Sequence, residues 1–154
     1  MKLFFDECLS KRLPVQISQI YSEDYPDLKT LHLTECYEPG TPDEKWIPLL
    51  EKEKDWIVIT ADDGMGSNKA KLPLICAKLG ITHIVMTPAL HQSPYREHKQ
   101  AILCLWPQFV FIPQPPKGTK ISMGYKAFSG RNWPHCKIEG KSLGAWCLER
   151  KMAI

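Results

Sequence analysis

Apolar residues in this chain fall into short runs separated by stretches of helical spacing. Leu3-Phe4-Phe5 reads as a buried strand, and Leu9, Leu13, Ile17 and Ile20 then recur at the period of a helix that reaches about Ser22. Pro14 lies near enough to that helix's start to be accommodated in its first turn or as a kink. Lys29 to Leu33 alternates polar and apolar residues as a second strand, with His32 expected to face away from the core. Thr41-Pro42-Asp43-Glu44 has the composition of a capping box, Thr at N-cap, Pro at the first helical position and Glu at N3, ahead of the apolar Trp46, Ile47, Leu49 and Leu50. Trp56 to Thr60 is a continuous apolar, β-branched run of the kind found in the middle of a parallel sheet. A helix over 68–79 stopped by Gly80, a strand Ile81 to Met86, a helix Pro94 to Trp106 and a last strand Phe109 to Ile112 complete the pattern.

This alternation predicts an α/β fold with a mostly parallel central sheet of about five strands. Pro113-Gln114-Pro115-Pro116-Lys117-Gly118 divides a body, 1–113, from a C-terminal extension, 114–154. Within the extension, Lys120 to Phe128 and Cys136 to Ile138 have the character of short strands and Leu143 to Met152 that of a short helix. Its apolar residues are too few for a core of its own, so it is expected to pack on the body or on a partner.

Composition narrows the class. The 154 residues, 44% apolar and 24% charged, suit one soluble globular domain. No apolar run approaches the ~20 residues of a membrane helix, and Lys2, Asp6 and Glu7 interrupt any signal-peptide pattern, which makes the cytoplasm the expected compartment. The six cysteines show no zinc-ligand spacing and are expected to be free, buried thiols. Charge is unevenly spread. Residues 1–113 hold 12 Lys and Arg against 15 Asp and Glu, whereas 114–154 hold 8 against 2. An acidic body beside a basic segment suits a polyanionic substrate handled with a divalent metal.

Three acidic signals give that idea chemistry: Asp6-Glu7 after the first strand, Asp43-Glu44 at a helix start, and Asp62-Asp63 after the third strand. Strand ends of an open α/β sheet border the crevice where ligands bind. Hard cations such as Mg²⁺ are held there by one or two carboxylates, waters and substrate phosphates. Glu44 has a simpler role as the closing residue of the capping box, and Asp62 or Asp63 could serve the turn before Gly64.

The opening strand with Asp6, then Leu9-Ser10 and Arg12-Leu13, Thr41-Pro42-Asp43 with Trp46 and Ile47, Val58-Ile59-Thr60 followed by Asp62, and Trp106-Pro107 resemble, in order and spacing, the PIN-like domains found among VapC-type ribonuclease toxins of type II toxin-antitoxin systems. The resemblance spans about residues 2–113. It implies a three-layer αβα fold, a Mg²⁺- or Mn²⁺-dependent endoribonuclease, an RNA substrate, a cognate antitoxin and commonly a homodimer. By the same resemblance Asp6, Asp43 and Asp62 match the acidic triad, Glu7 and Asp63 are secondary ligands, and Ser10 and Thr60 are polar supports. Lys11 and Arg12, then Lys69 and Lys71, would hold RNA, extended by Lys117, Lys120, Lys126 and Arg131 with the aromatic Tyr125, Phe128 and Trp133. Cys8 stands where relatives often have Asn, and Gly64 where many place a further acid.

Two other readings stay open. A catalytically degenerate PIN-like module would bind or regulate a partner, as the Cys8 and Gly64 departures suggest. A receiver-like phosphoacceptor would also carry acids after its first and third strands, but it needs a lysine after the last strand, and 109–112 runs into Pro113-Gln114.

Overall fold

Successive βα units build most of the molecule. The computed structural model describes residues 1–62, 72–111 and 116–150, with side chains for all of these but 106–111. In chain order the elements begin with β1 (Lys2–Phe5), α1 (Arg12–Tyr21), β2 (Lys29–His32), α2 (Leu33–Cys36), α3 (Asp43–Glu53) and β3 (Trp56–Thr60). They continue with α4 (Leu72–Leu79), β4 (His83–Met86), α5 (Pro88–His91), α6 (Tyr95–Phe111), β5 (Lys120–Phe128), β6 (Arg131–Ile138), β7 (Lys141–Ser142) and α7 (Leu143–Glu149).

Among the described residues one sheet of seven strands runs β2-β1-β3-β4-β5-β6-β7. The first five in that order are parallel, and β5, β6 and β7 pair antiparallel, so the sheet is mixed and longer than the five strands expected. Strand alternation divides the core between two faces. Phe4 and Val58 pack with Trp46, Ile47, Leu50, Leu72 and Cys76 of α3 and α4. Leu3, Phe5 and Ile59 pack with Leu13 and Ile17 of α1, Ile102 and Leu105 of α6, and Trp146 of α7. Helices on both faces make three layers. Among the described residues no helix is long and apolar enough to cross a membrane.

Several expectations are corrected. Phe109 to Phe111 continue α6 instead of forming a strand, because a short apolar run has no periodicity that separates a strand from a buried helical turn. The strand beside β4 is β5, through Ile84↔Ile121 and Met86↔Met123, so the basic extension supplies three of the seven strands. β5 also carries Lys126, so the lysine missing after 109–112 does not bear on the receiver reading.

Thr41 does not cap α3. Pro42 holds the N-cap position, and the Thr41 hydroxyl donates to Glu38 O at 2.6 Å. A capping box does exist, at His32 and Glu35. His32 Nδ1 accepts the Thr34 N–H, Glu35 Oε2 accepts the His32 N–H at 2.6 Å, and His32 Nε2 donates to Leu9 O at 2.8 Å. His32 is thus buried, contrary to expectation, and ties β2 to the loop after β1. All six cysteines are free, but only Cys76, Cys136 and Cys147 are buried.

Candidate functional site

Asp6 follows β1 directly and keeps to the sheet, its N–H donating to Ile59 O at 3.0 Å. The carboxylate is buried and accepts from three donors: Glu7 N–H to Oδ1 at 2.8 Å, the Thr60 hydroxyl to Oδ2 at 2.7 Å, and the Cys8 thiol to Oδ2 at 3.3 Å. Thr60, the last residue of β3, is fully buried, and its oxygen also accepts the Asp62 N–H at 2.9 Å. One hydroxyl therefore connects the Asp6 side chain to the backbone that presents Asp62.

Cys8 is exposed as a residue, but its sulfur is turned inward, where it also accepts the Ala61 N–H at 3.3 Å. Burial, then the Asp6 carboxylate, pushes this thiol up to about 12. Cys8 therefore acts as a neutral donor to Asp6 and holds the β1 and β3 ends together.

Asp43 is the first residue of α3, and its Oδ1 accepts the Trp46 indole N–H at 3.0 Å. Acid at a helix start is favoured by the helix dipole, yet the Asp43 carboxyl is pushed up to about 6. Burial is the main cause, Asp6, Asp62 and Glu44 push the same way, and the Trp46 hydrogen bond opposes them. Three carboxylates from three segments thus sense one another at the carboxyl ends of β1 and β3. Among the described residues neither Asp6 nor Asp43 is paired with a Lys or Arg. Their oxygen donors suit a hard divalent cation, which would relieve that repulsion. In the present arrangement, no three His, Cys, Asp or Glu side chains among the described residues are grouped closely enough to hold an ion.

The remaining sequence candidates separate. Glu7 is exposed and its Oε2 accepts the Gly40 N–H at 2.9 Å, joining the loop after β1 to the loop before α3. Ser10 Oγ accepts the Arg12 N–H at 3.2 Å, supporting the start of α1. Lys11 is exposed, and the Arg12 guanidinium lies 4.5 Å from the centre of the Tyr95 ring. Asp63, Gly64, Lys69 and Lys71 lie outside the described residues. Three contacts went unforeseen: the Cys8 thiol, the Trp46 indole and the Gly40 N–H. Only the second had a legible signal, since Asp43 and Trp46 stand three residues apart on one helix face.

Neither a curated protein nor a solved structure matches the chain. A family described as a PIN like domain matches residues 1–87, the span that holds β1 to β4 and all three of these acids. PIN-like domains are generally nucleases, and a match over more than half of the sequence means that the chain belongs to the PIN-like domain family.

Proposed function

We propose that the chain is a metal-dependent endoribonuclease that hydrolyses RNA phosphodiester bonds at the carboxyl edge of β1 and β3. The observation that carries this reading is Asp43, whose carboxyl is raised to about 6 by burial and by two further acids, Asp6 and Asp62. Carboxyl groups raised in this way by burial and by neighbouring acids are concentrated at functional sites. Asp6, Asp43 and Asp62 would hold Mg²⁺ or Mn²⁺, with Asp63 and Glu7 as outer ligands. Such an ion, when bound, lowers the pKa of a water and polarises a phosphoryl oxygen.

The chain's own residues do the positioning. Glu7 N–H and the Thr60 hydroxyl fix both oxygens of Asp6, and the Trp46 indole fixes one of Asp43. Lys11, Arg12 and Lys69 would attract the RNA backbone, with Ser10 shaping the turn that presents the first two. On the likeness to VapC-type toxins, we also propose an antitoxin partner, a homodimer and a cytoplasmic site of action. Co-expression with neighbouring small proteins and size-exclusion chromatography would test the first two.

The decisive experiment is cleavage of a mixed RNA pool by purified protein with Mg²⁺ or Mn²⁺, beside EDTA controls and the Asp6→Asn and Asp62→Asn variants. Metal-dependent cleavage that both variants lose while keeping a native circular dichroism spectrum is expected. Absence of cleavage by folded protein would overturn the reading. It would favour the catalytically degenerate binding module instead, for which the specific observation is that protein donors already occupy both oxygens of Asp6.

A further inference from the structure

β5 and β6 run on past the end of β4 as a two-stranded ribbon whose faces are chemically unlike. The register sets Lys126 opposite Trp133, Phe128 opposite Arg131, Gly124 opposite His135 and Ser122 opposite Lys137. Directly opposed residues of a ladder share a face, and faces alternate along each strand. Lys126, Phe128, Arg131, Trp133, His135 and Lys137 therefore lie on one face. The other bears Ile121, Met123, Cys136 and Ile138, buried in the core with α6 and α7.

The first face is open. Phe128 is 71% and Trp133 51% exposed, and Lys126, Arg131 and Lys137 are exposed too. The Trp133 indole N–H donates to Phe128 O at 3.3 Å, which pins the ring across the ribbon end. The His135 imidazole is held below its usual value by burial and by Lys126 and Lys137, so both ammonium groups stand near it. Each exposed ring thus faces a cation across the ladder.

The same register locates this face. β5 is parallel to β4, so its carboxyl end lies on the edge of the sheet that carries Asp6 and Asp62. Thr60 pairs with Val85 and Val85 with Ser122, so Gly124–Phe128 rise above the level of Thr60 and of Asp6 beside it. Three strand spacings separate β1 from β5, about 15 Å. A flexible polyanion lying on the ribbon would reach the acidic edge.

Cations alternating with exposed rings match a chain that alternates phosphates with unstacked bases. Duplex bases are stacked on each other and cannot meet those rings. We infer that this face of the β5–β6 ribbon binds single-stranded RNA, with Trp133 and Phe128 stacking on bases and Lys126, Arg131 and Lys137 contacting phosphates. The inference rests on the nuclease reading for the identity of the polyanion, and not for the presence of the surface.

Fluorescence anisotropy of a labelled single-stranded oligoribonucleotide, titrated with the full chain in EDTA, tests it without metal or cleavage. Trp133→Ala and Phe128→Ala should each weaken binding about 5- to 100-fold. Lys126→Gln and Arg131→Gln should each lower the slope of log affinity against log salt by about 0.7. Lys52→Gln, an exposed lysine of α3, should leave affinity unchanged, and a duplex of the same sequence should bind more weakly. No binding by the wild type, ring variants that bind like it, or equal affinity for duplex would each overturn the inference. Losses in the ring variants without metal-dependent cleavage would keep the ribbon and sink the nuclease; cleavage with the ring variants unaffected would do the reverse.

Discussion

The Thr60 hydroxyl donates to Asp6 Oδ2 at 2.7 Å, joining the ends of β1 and β3 through side chains at the point where their backbone ladder stops. The pair is buried and the acceptor is a carboxylate, so the bond is of the stronger kind. Thr60→Val keeps the shape and removes the hydroxyl. It should destabilise the fold by about 1.5–3 kcal/mol in denaturant unfolding. Cys8→Ala, which takes only a weak thiol donor from Asp6, should lose less. Equal losses would mean that packing, and not the hydroxyl, sets the effect.

Asp43 gives stability a pH dependence of unusual sign for a carboxylate. Its folded value of about 6 exceeds the ordinary 3.8, chiefly through burial and then Asp6. Between these values the folded chain binds more protons than the unfolded one, so this contribution improves as the pH falls from above 6 towards 4. His83 opposes it: burial lowers its imidazole, so stability is lost as the pH falls through 6.5. Asp43→Asn should raise stability at pH 7.5 by about 1 kcal/mol, solvent screening having reduced the full effect, and by clearly less at pH 4.5, where the folded carboxyl is already mostly protonated. Denaturation midpoints at the two pH values check this, and equal gains at both would refute it.

If the acidic edge holds a divalent cation, Mn²⁺ or Mg²⁺ added to chelated protein should raise its melting temperature by mass action, about 2.7 kcal/mol at 100 times Kd. The increment should vanish in Asp6→Asn and Asp62→Asn. An undiminished increment in both variants would put the ion elsewhere.

The ribbon turn makes a separate test. Ser129 and Gly130 have φ of 51° and 73°, the two positive values of a type I′ hairpin turn. Asn adopts this conformation more readily than Ser, so Ser129→Asn should stabilise by a few tenths of a kcal/mol, whereas Gly130→Ala should cost about 1–2 kcal/mol. Thermal unfolding reads both, and a stabilised Gly130→Ala would contradict the turn geometry.

Thiol labelling distinguishes a residue's exposure from its sulfur's. Cys104 is exposed on α6, whereas the Cys8 thiol, raised to about 12, yields little thiolate at pH 8. Alkylation followed by peptide mapping should modify Cys104 at least about tenfold faster than Cys8. Comparable rates would mean that the Cys8 sulfur leaves Asp6 readily.

What was legible in the sequence depended on local pattern. β1, β2, β3, β4 and the three helices α1, α3 and α6 follow from periodicity because their apolar positions face cores formed by their immediate neighbours. Asp6 and Asp62 could be located because both end apolar strands. The fate of Phe109–Phe111 turned on a tertiary choice. Either Phe109–Ile112 or Lys120–Phe128 could have flanked β4, and the latter offers Ile121 and Met123 on one face while its outward side carries Ser122 and Lys126. The Thr41–Glu44 capping pattern failed because Thr41 had a nearer acceptor in Glu38 O, while His32, a less usual cap, was held in place by Leu9 O, distant in sequence. The Glu7–Gly40 bond has the same cause. It joins two loops whose proximity only the assembled sheet creates.

β5 is both the last parallel strand and the first antiparallel one, and this makes it decisive for how the chain leaves the ribosome. Until Lys120–Phe128 has been synthesised, β4 stands as a bare margin of Ile84, Val85 and Met86 with unsatisfied backbone donors and acceptors. Such a margin invites pairing with a second nascent copy. A protein ended after residue 113 would carry that margin permanently and should aggregate, although the span that defines its family would be whole.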